Sequence, residues 1–422
     1  MRYLDALEQR LLASRGLAHY RLTLSESQSL RLGLKDNALG SVYAPPSYSA
    51  ARQGSFLVQW DDGQLSRGNL DGASLANCDA ILAAARSAGI DDPDGTNFLG
   101  PQQYRDTPLF SPETAQLVEQ GSEALLSVMR LAQRLAEEYQ VEILTGGVGV
   151  SCSTSWVRTS RGLNATEEST RFSWGLSFDS LLSEGYSTRA PQELAAIEER
   201  LRRTLAYLAP LRQAAEPGQG PVLLHPAAAW SLTSHYLLGN LSGEAVCHQQ
   251  SAFRQIDFAQ RALVLHPEIT LGVDPAIPMG SDSFNFTSEG VPAGPQDYVQ
   301  QGRLVTPILD LKYARRLGLP PTTPPAGPEG TRLSGPSVAY QDLLPNLDRA
   351  VLVFSFLGLH TQDRTSGQYS LTAPNALVIF KGQLLGRAKA TLTGNFFQQL
   401  RNERFRLVTF PGQPFPGMWL EG

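Results

Sequence analysis

Pro221-Val-Leu-Leu-His-Pro-Ala-Ala-Ala-Trp-Ser-Leu-Thr-Ser-His-Tyr-Leu-Leu-Gly-Asn-Leu-Ser-Gly243 is the stretch on which the reading of this chain turns. The apolar run Val222-Leu223-Leu224 leads into a helix. His225 stands at its N-cap and Pro226 at its first position, where proline's missing N–H costs nothing. The helix is expected from Pro226 to Leu238, with Gly239-Asn240 as its C-cap. His235 lies among Trp230, Leu232, Leu237 and Leu238, so a core or interface role is expected for it.

Upstream of this helix, Ala214 to Pro221 holds two prolines and two glycines and marks the clearest boundary in the chain. The part before it mixes helices and strands. Leu4, Leu7, Leu11 and Leu12 recur at helical spacing, and His19 to Leu34 then alternates apolar and polar residues as a half-buried strand does. A strand at Ser55–Trp60 and a helix from Leu75 to Ala88 complete a first unit. Ser111-Pro112 opens a long helix reaching about Glu138. Val141–Ser155 and Arg158–Asp179 read as meandering strands with turn glycines at Gly146, Gly147 and Gly162. Leu194, Ile197, Leu201, Leu205 and Leu208 mark one face of a further helix.

Downstream, helical signals are confined to Pro226–Leu238, Leu309–Leu317 and Phe396–Arg401, and the remainder reads as short strands and turns. Val351 to Leu359 reads as a buried strand, and Leu319 to Gly330, with five prolines, as an exposed loop. The expected fold class is α+β. An N-terminal α+β domain (1–92) and a central helix-plus-strand domain (108–213) precede a mainly β C-terminal domain with few helices (218–422).

Composition narrows the function. Net charge is −5 and the 35 lysines and arginines are scattered, which argues against nucleic acid. The first ten residues carry Asp5 and Glu8 where a signal peptide needs an apolar core, and no apolar run approaches the ~20 residues of a membrane helix, so a cytoplasmic protein is expected. Cys78, Cys152 and Cys247 lack C-x-x-C spacing and read as reduced, mostly buried thiols.

The six histidines include no pair at i, i+4 spacing and no H-E-x-x-H. Cys247-His248, with His235, is the one soft-ligand cluster, but its spacing fixes no geometry. Gly147-Val-Gly-Val-Ser151 is neither a nucleophile elbow nor a phosphate loop.

Several phrases of the second half nevertheless follow one another in a known order. After Val222-Leu223-Leu224 and its helix come Ser288-Glu-Gly-Val-Pro292, then Gly302-Arg-Leu304 with Asp310 and Ala314. Thr365-Ser-Gly-Gln-Tyr-Ser370, Val378-Ile-Phe-Lys-Gly382 and Thr393-Gly-Asn395 follow. In these phrases and their order the chain resembles the TldD/PmbA family, most closely its PmbA (TldE)-like members.

The resemblance implies a two-part system. A TldD-like subunit carries zinc on H-E-x-x-x-H plus a late cysteine; a PmbA-like subunit lacks these residues, and together they process or degrade unfolded peptides. Registered on the family, this chain has Ser234 at the first histidine, His235 at the general-base glutamate and Gly239 at the second histidine, and no cysteine follows Cys247. Loss of the glutamate alone would cost roughly 10²-fold or more in rate. The resemblance thus implies a non-catalytic subunit without a cofactor of its own, whose zinc resides in a TldD-like partner. The alternatives are a metallopeptidase active alone as a homodimer, using His235, Cys247 and His248, and a peptide-binding module without a peptidase partner. Phe284, Phe286, Glu289, Gly290 and Tyr369 are the expected peptide-binding or interface residues.

Overall fold

The computed structural model describes residues 2–39, 46–74, 76–178, 182–211, 213–218 and 220–420. Leu75, Asp179 and Gln219, which fall within expected elements or the boundary segment, lie outside the described residues. The protein is α+β throughout. It opens with helix α1 (Arg2–Leu12), followed by strands β1 (Leu17–Lys35), β2 (Ala38–Leu39), β3 (Ser47–Trp60) and β4 (Leu65–Asp71) and helix α2 (Cys78–Ser87). Helices α3 (Pro112–Gln120) and α4 (Ser122–Glu138), strands β5 (Ile143–Thr159), β6 (Asn164–Phe178) and β7 (Ser183–Thr188) and helix α5 (Leu194–Leu211) come next.

These strands form one sheet in the order β4-β3-β1-β5-β6-β7, with β2 paired to β1. β1 pairs with β5 from Arg21↔Thr159 to Lys35↔Thr145, so segments 1–92 and 108–213 share a continuous sheet. Strand alternation decides the rest. Tyr20, Leu22 and Leu24 of β1 face the buried leucines of α1 and α2, while Leu32 and Leu34 on the same face meet α4. The opposite face is polar. Ser25, Ser27 and Ser29 align with Ser155, Ser153 and Ser151, and hydroxyl contacts join Ser29 to Ser49 and Ser153 to Ser169.

Two expectations change here. The single helix expected from Ser111 to Glu138 is broken at Gly121, although Ser111 caps it as expected by accepting the Thr114 N–H. Gly146 and Gly147 lie inside β5 rather than in turns, because a Cβ on either would strike a neighbouring strand's backbone carbonyl, that of Gly175 or Leu32. Gly162 does turn, with φ +87°.

The second half begins with β8 (Val222–Leu224) and a helical run made of α6 (Pro226–Leu232), a π-helical turn (Thr233–Leu238) and α7 (Gly239–Leu241). Helices α8 (Gly243–Cys247) and α9 (Gln255–Ala259), strands β9 (Thr270–Val273), β10 (Gln296–Gln300) and β11 (Arg303–Leu304), and helix α10 (Leu311–Leu317) follow. Then come β12 (Thr331–Ser334), β13 (Ser337–Ala339), α11 (Tyr340–Leu343), β14 (Arg349–Val353), β15 (Gln368–Phe380), β16 (Gln383–Asn395), α12 (Phe396–Arg401), β17 (Arg406–Thr409) and β18 (Gly417–Leu420). The short helices α8, α9 and α11 add to the three helical segments expected there. Sheets of order β11-β10-β9-β12 and β13-β17-β18-β8-β14-β15-β16 result.

The larger of these sheets is buried on both faces, which is why Ala350 to Val353 reads as an unbroken apolar run. Leu224, Val351, Val353, Met418 and Leu420 pack on the helical run, against Ala228, Leu232 and Tyr236. Leu223, Leu352, Ile379, Val408 and Trp419 pack on the other side with Ile197, Leu201 and Leu205 of α5. The proline-rich segment 319–330 is not the exposed loop expected. Thr322 and Thr323 are buried, Thr322 accepting the Leu309 N–H and the Thr323 carbonyl accepting from the Tyr298 hydroxyl.

One ion pair ties α5 to both parts. Arg200 donates to Glu184 at 2.6 Å with side-chain exposures of 10% and 6%, and it also donates to the Gly412 carbonyl. Thr204 completes the site by donating to the other Glu184 oxygen. Glu184→Ala leaves a buried guanidinium without its counter-ion and is expected to lower unfolding free energy by about 3 kcal/mol. Urea denaturation would measure it, and a loss near zero would mean that water reaches Arg200 freely.

Candidate functional site

The helical run from Pro226 to Leu241 lies across the two-faced sheet with one side in the core and the other outward. His225 occupies the N-cap position with extended backbone and Pro226 follows it, as expected, but its side chain makes no cap hydrogen bond. The imidazole packs instead against Tyr207, Phe354 and Phe410, with centroids 6.3, 5.1 and 5.1 Å away, and its Nδ1 is sealed from water without a partner. Burial pushes its pKa down to about 3.

Gly239-Asn240 does not cap the helix. Gly239 has φ −61°, the helix continues to Leu241, and the expected C-cap is corrected accordingly. The Gly239 N–H bonds the Ser234 carbonyl, five residues back, which defines the π turn. In an α-helix residues five apart point about 140° apart; a turn closed at i+5 stacks them. Ser234 and Gly239 therefore share a side of the helix, Ser234 exposed and Gly239 half-buried.

Facing that side runs the loop before β15, which two side chains of the helical run grip. His235 donates from Nε2 to the Gln362 carbonyl at 3.2 Å, and Asn240, fully buried, donates at 2.8 Å to the carbonyls of both Tyr236 and Arg364. The same Asn240 accepts the Ala252 N–H. The loop so fixed lays Arg364 against Gly239, with Cδ and Nη1 only 3.3 and 3.5 Å from the place a Cβ would occupy. Burial, and secondarily the Arg364 charge, hold the His235 pKa below its ordinary value.

These groups do not suit zinc. One hydroxyl, one imidazole committed to a carbonyl, and a guanidinium standing where a second ligand would project make a poor donor set, and the cation repels another. Among the described residues no three His, Cys, Asp or Glu side chains converge as metal ligands would. His235, Cys247 and His248 are not brought together: His248 lies beside Tyr313, with rings 5.9 Å apart, while His235 faces Gln362. Burial raises the Cys247 pKa, which disfavours the thiolate a nucleophile needs. Cys78 is buried and Cys152 and Cys247 are half-buried, all three free.

The segment around Phe284 to Gly290 docks within the molecule. Phe286 packs on Val157, Leu163 and Ala165 and on the Tyr104 ring at 5.2 Å. Gly290, at φ +82°, lets its backbone meet Leu163, which any Cβ would strike, and its carbonyl accepts from Tyr104. Glu289 pairs with Arg21 at 2.9 Å and accepts the Leu311 N–H, joining β1 to α10. Phe284 is half-buried. Tyr369 is buried in the core and donates to Gln399 at 2.8 Å.

Residues 217–405 match the PmbA/TldA metallopeptidase C-terminal domain. The second half of the chain is thus a domain of the PmbA/TldD type. Metalloprotease PmbA of Escherichia coli O157:H7 is 27% identical over 201 residues, 48% of this chain and 43% of that protein. An uncharacterized protein of Methanocaldococcus jannaschii is 24% identical over 72% of this chain and 74% of its own. The chain thus spans less than half of PmbA in the matched region. Among crystal structures, TldE from Thermococcus kodakarensis superposes with a TM-score of 0.82 at 18% identity, covering 99% of this chain and 98% of that one. A putative modulator of a DNA gyrase from Thermotoga maritima gives 0.79 at 19%, covering 99% of each. The fold seen in these crystal structures accordingly extends over both halves of the chain.

Arg364 and Asn240 were not legible as site residues beforehand. Their sole signal is the neighbouring phrase Thr365 to Ser370, since what places Arg364 over Gly239 is a contact between segments 125 positions apart.

Proposed function

We propose that this chain is the non-hydrolytic member of a TldD/TldE-type pair, holding unfolded peptide for a zinc-bearing TldD-like partner in the cytoplasm. The observation that carries this reading is the outward side of the π turn: hydroxyl at 234, imidazole at 235, no side chain at 239, and a guanidinium laid over the gap. Such a site offers no general base beside a Lewis acid. The half-polar first sheet, with its edge strand β7, supports peptide holding, because backbone pairing to a sheet edge is indifferent to side chain.

The purified protein is expected to bind an unstructured peptide without cleaving it and to contain well under one zinc per chain. Mixed with a TldD-like peptidase it is expected to co-elute as a complex, whose activity survives Ser234→Ala or His235→Ala. Chelator-sensitive cleavage by this chain alone would overturn the reading.

A further inference from the structure

Away from the π turn, the seam between the first sheet and the second half opens into a pocket of about 590 Å³. Its walls include Trp174 and Tyr186 from the β6-β7 edge, Trp230 from α6, and Phe415. Trp174 and Phe415 are buried and make the floor, while Tyr186 and Trp230 are half-buried and present ring surface. Trp230 is fixed edge-on to Phe415 at 5.2 Å.

Two carboxylates, Asp282 and Glu329, complete the lining. Neither forms an ion pair with a described residue. Both are oriented by donors from their own loop: Glu329 accepts from the Ser281 N–H and hydroxyl through Oε2, which leaves Oε1 uncommitted, while Asp282 accepts the Glu329 and Gly330 N–H groups through Oδ2 and a long contact of 3.5 Å from the Ser281 hydroxyl at Oδ1. Gly327 permits this wrapping, since a Cβ there would strike the Asp282 carboxylate. Of the two cations in the wall, Arg200 is neutralised by Glu184, and Arg171 donates to the Ser281 carbonyl. In the lining itself one unpaired cation stands against two carboxylates, while Arg189, buried behind them on the Gly280 and Ser283 carbonyls, adds positive charge from the inner side.

Aromatic faces beside preoriented carboxylates form a receptor for a cation on an apolar stem. We infer that this pocket takes a lysine or arginine side chain of an extended peptide, its stem along Tyr186 and Trp230 and its charge at Glu329 and Asp282. The edge strand β7 supplies Gly185, Tyr186 and Ser187 to the same wall, so a backbone paired there would have side chains within reach of the pocket. The inference rests on the peptide-holding reading and adds a side-chain preference to it.

Two fluorescent, unstructured peptides identical except for lysine against norleucine at one central position test it by anisotropy. The lysine peptide is expected to bind about tenfold more tightly, as a charge-assisted contact of about 1.4 kcal/mol would give. Glu329→Gln, and separately Trp230→Leu, should each remove most of that preference while the norleucine peptide keeps its affinity under Glu329→Gln. The tryptophan variant leaves the 281–330 loop contacts intact, so a loss there cannot be ascribed to loop unfolding. Equal affinity of the two peptides for the unaltered protein, or a preference untouched by both variants, overturns the pocket assignment alone. Absence of binding by either peptide overturns peptide holding as well.

Discussion

Acidification is expected to unfold this protein earlier than its carboxylates alone would dictate, with His225 as the cause. The side chain titrates near 6.5 in an unfolded chain and is held down to about 3 in the fold. Between those values the unfolded state binds the extra proton, so stability conferred by the neutral ring is intact above pH 6.5 and is lost as pH falls toward 3. The cost is at most about 2 kcal/mol at pH 5 and about 4 kcal/mol at pH 3; atoms of the residue other than Nδ1 keep some solvent contact, which lowers both figures. Tyr207, Phe354 and Phe410 offer the proton no acceptor that replaces water, and Arg200 opposes it. His225→Phe should flatten the melting temperature's dependence on pH between 7 and 4 relative to the parent. Parallel curves for parent and variant would show that the ring is wet.

The second large effect concerns the π turn. If it stacks positions 234 and 239, the double variant Ser234→His, Gly239→His should place two imidazoles within reach of one divalent cation, which an α-helix would splay apart. Zinc affinity is expected to rise from undetectable to a dissociation constant of order 10 µM, roughly −7 kcal/mol. Adding Arg364→Ala, which removes the opposing guanidinium, should tighten it further. Calorimetric titration measures both, and a double variant no better than the parent would mean that positions 234 and 239 diverge.

How far the sequence carried the reading depends on which interactions are local. The α+β character, the strand from residue 19 onward, the cap at Ser111 and the helix face Ile197-Leu201-Leu205-Leu208 all follow from spacing along the chain. Two alternating serine runs, Ser25-Ser27-Ser29 and Ser151-Ser153-Ser155, also stand in the sequence, but their alignment across one sheet is not legible there, because register over 120 residues is set by tertiary pairing. The π turn escaped notice for a similar reason. Gly239 looks like a stop signal, and only packing of Leu241 and the grip of Asn240 on residues 252 and 364 carry the helix past it. Where the sequence points to missing chemistry, at Ser234 and Gly239, the fold adds what fills the vacancy: a side chain from a distant loop.

The sheet clothed on both sides bears on how such a protein can change over evolutionary time. Its half from residue 217 is recognisable as a unit of descent, yet one whole flank of that unit is upholstered by α5, which belongs to the preceding half. Heredity and physics draw the border in different places. The second half is therefore not a cassette to be shuffled between genes, and its apolar flank obliges the two halves to diversify in step.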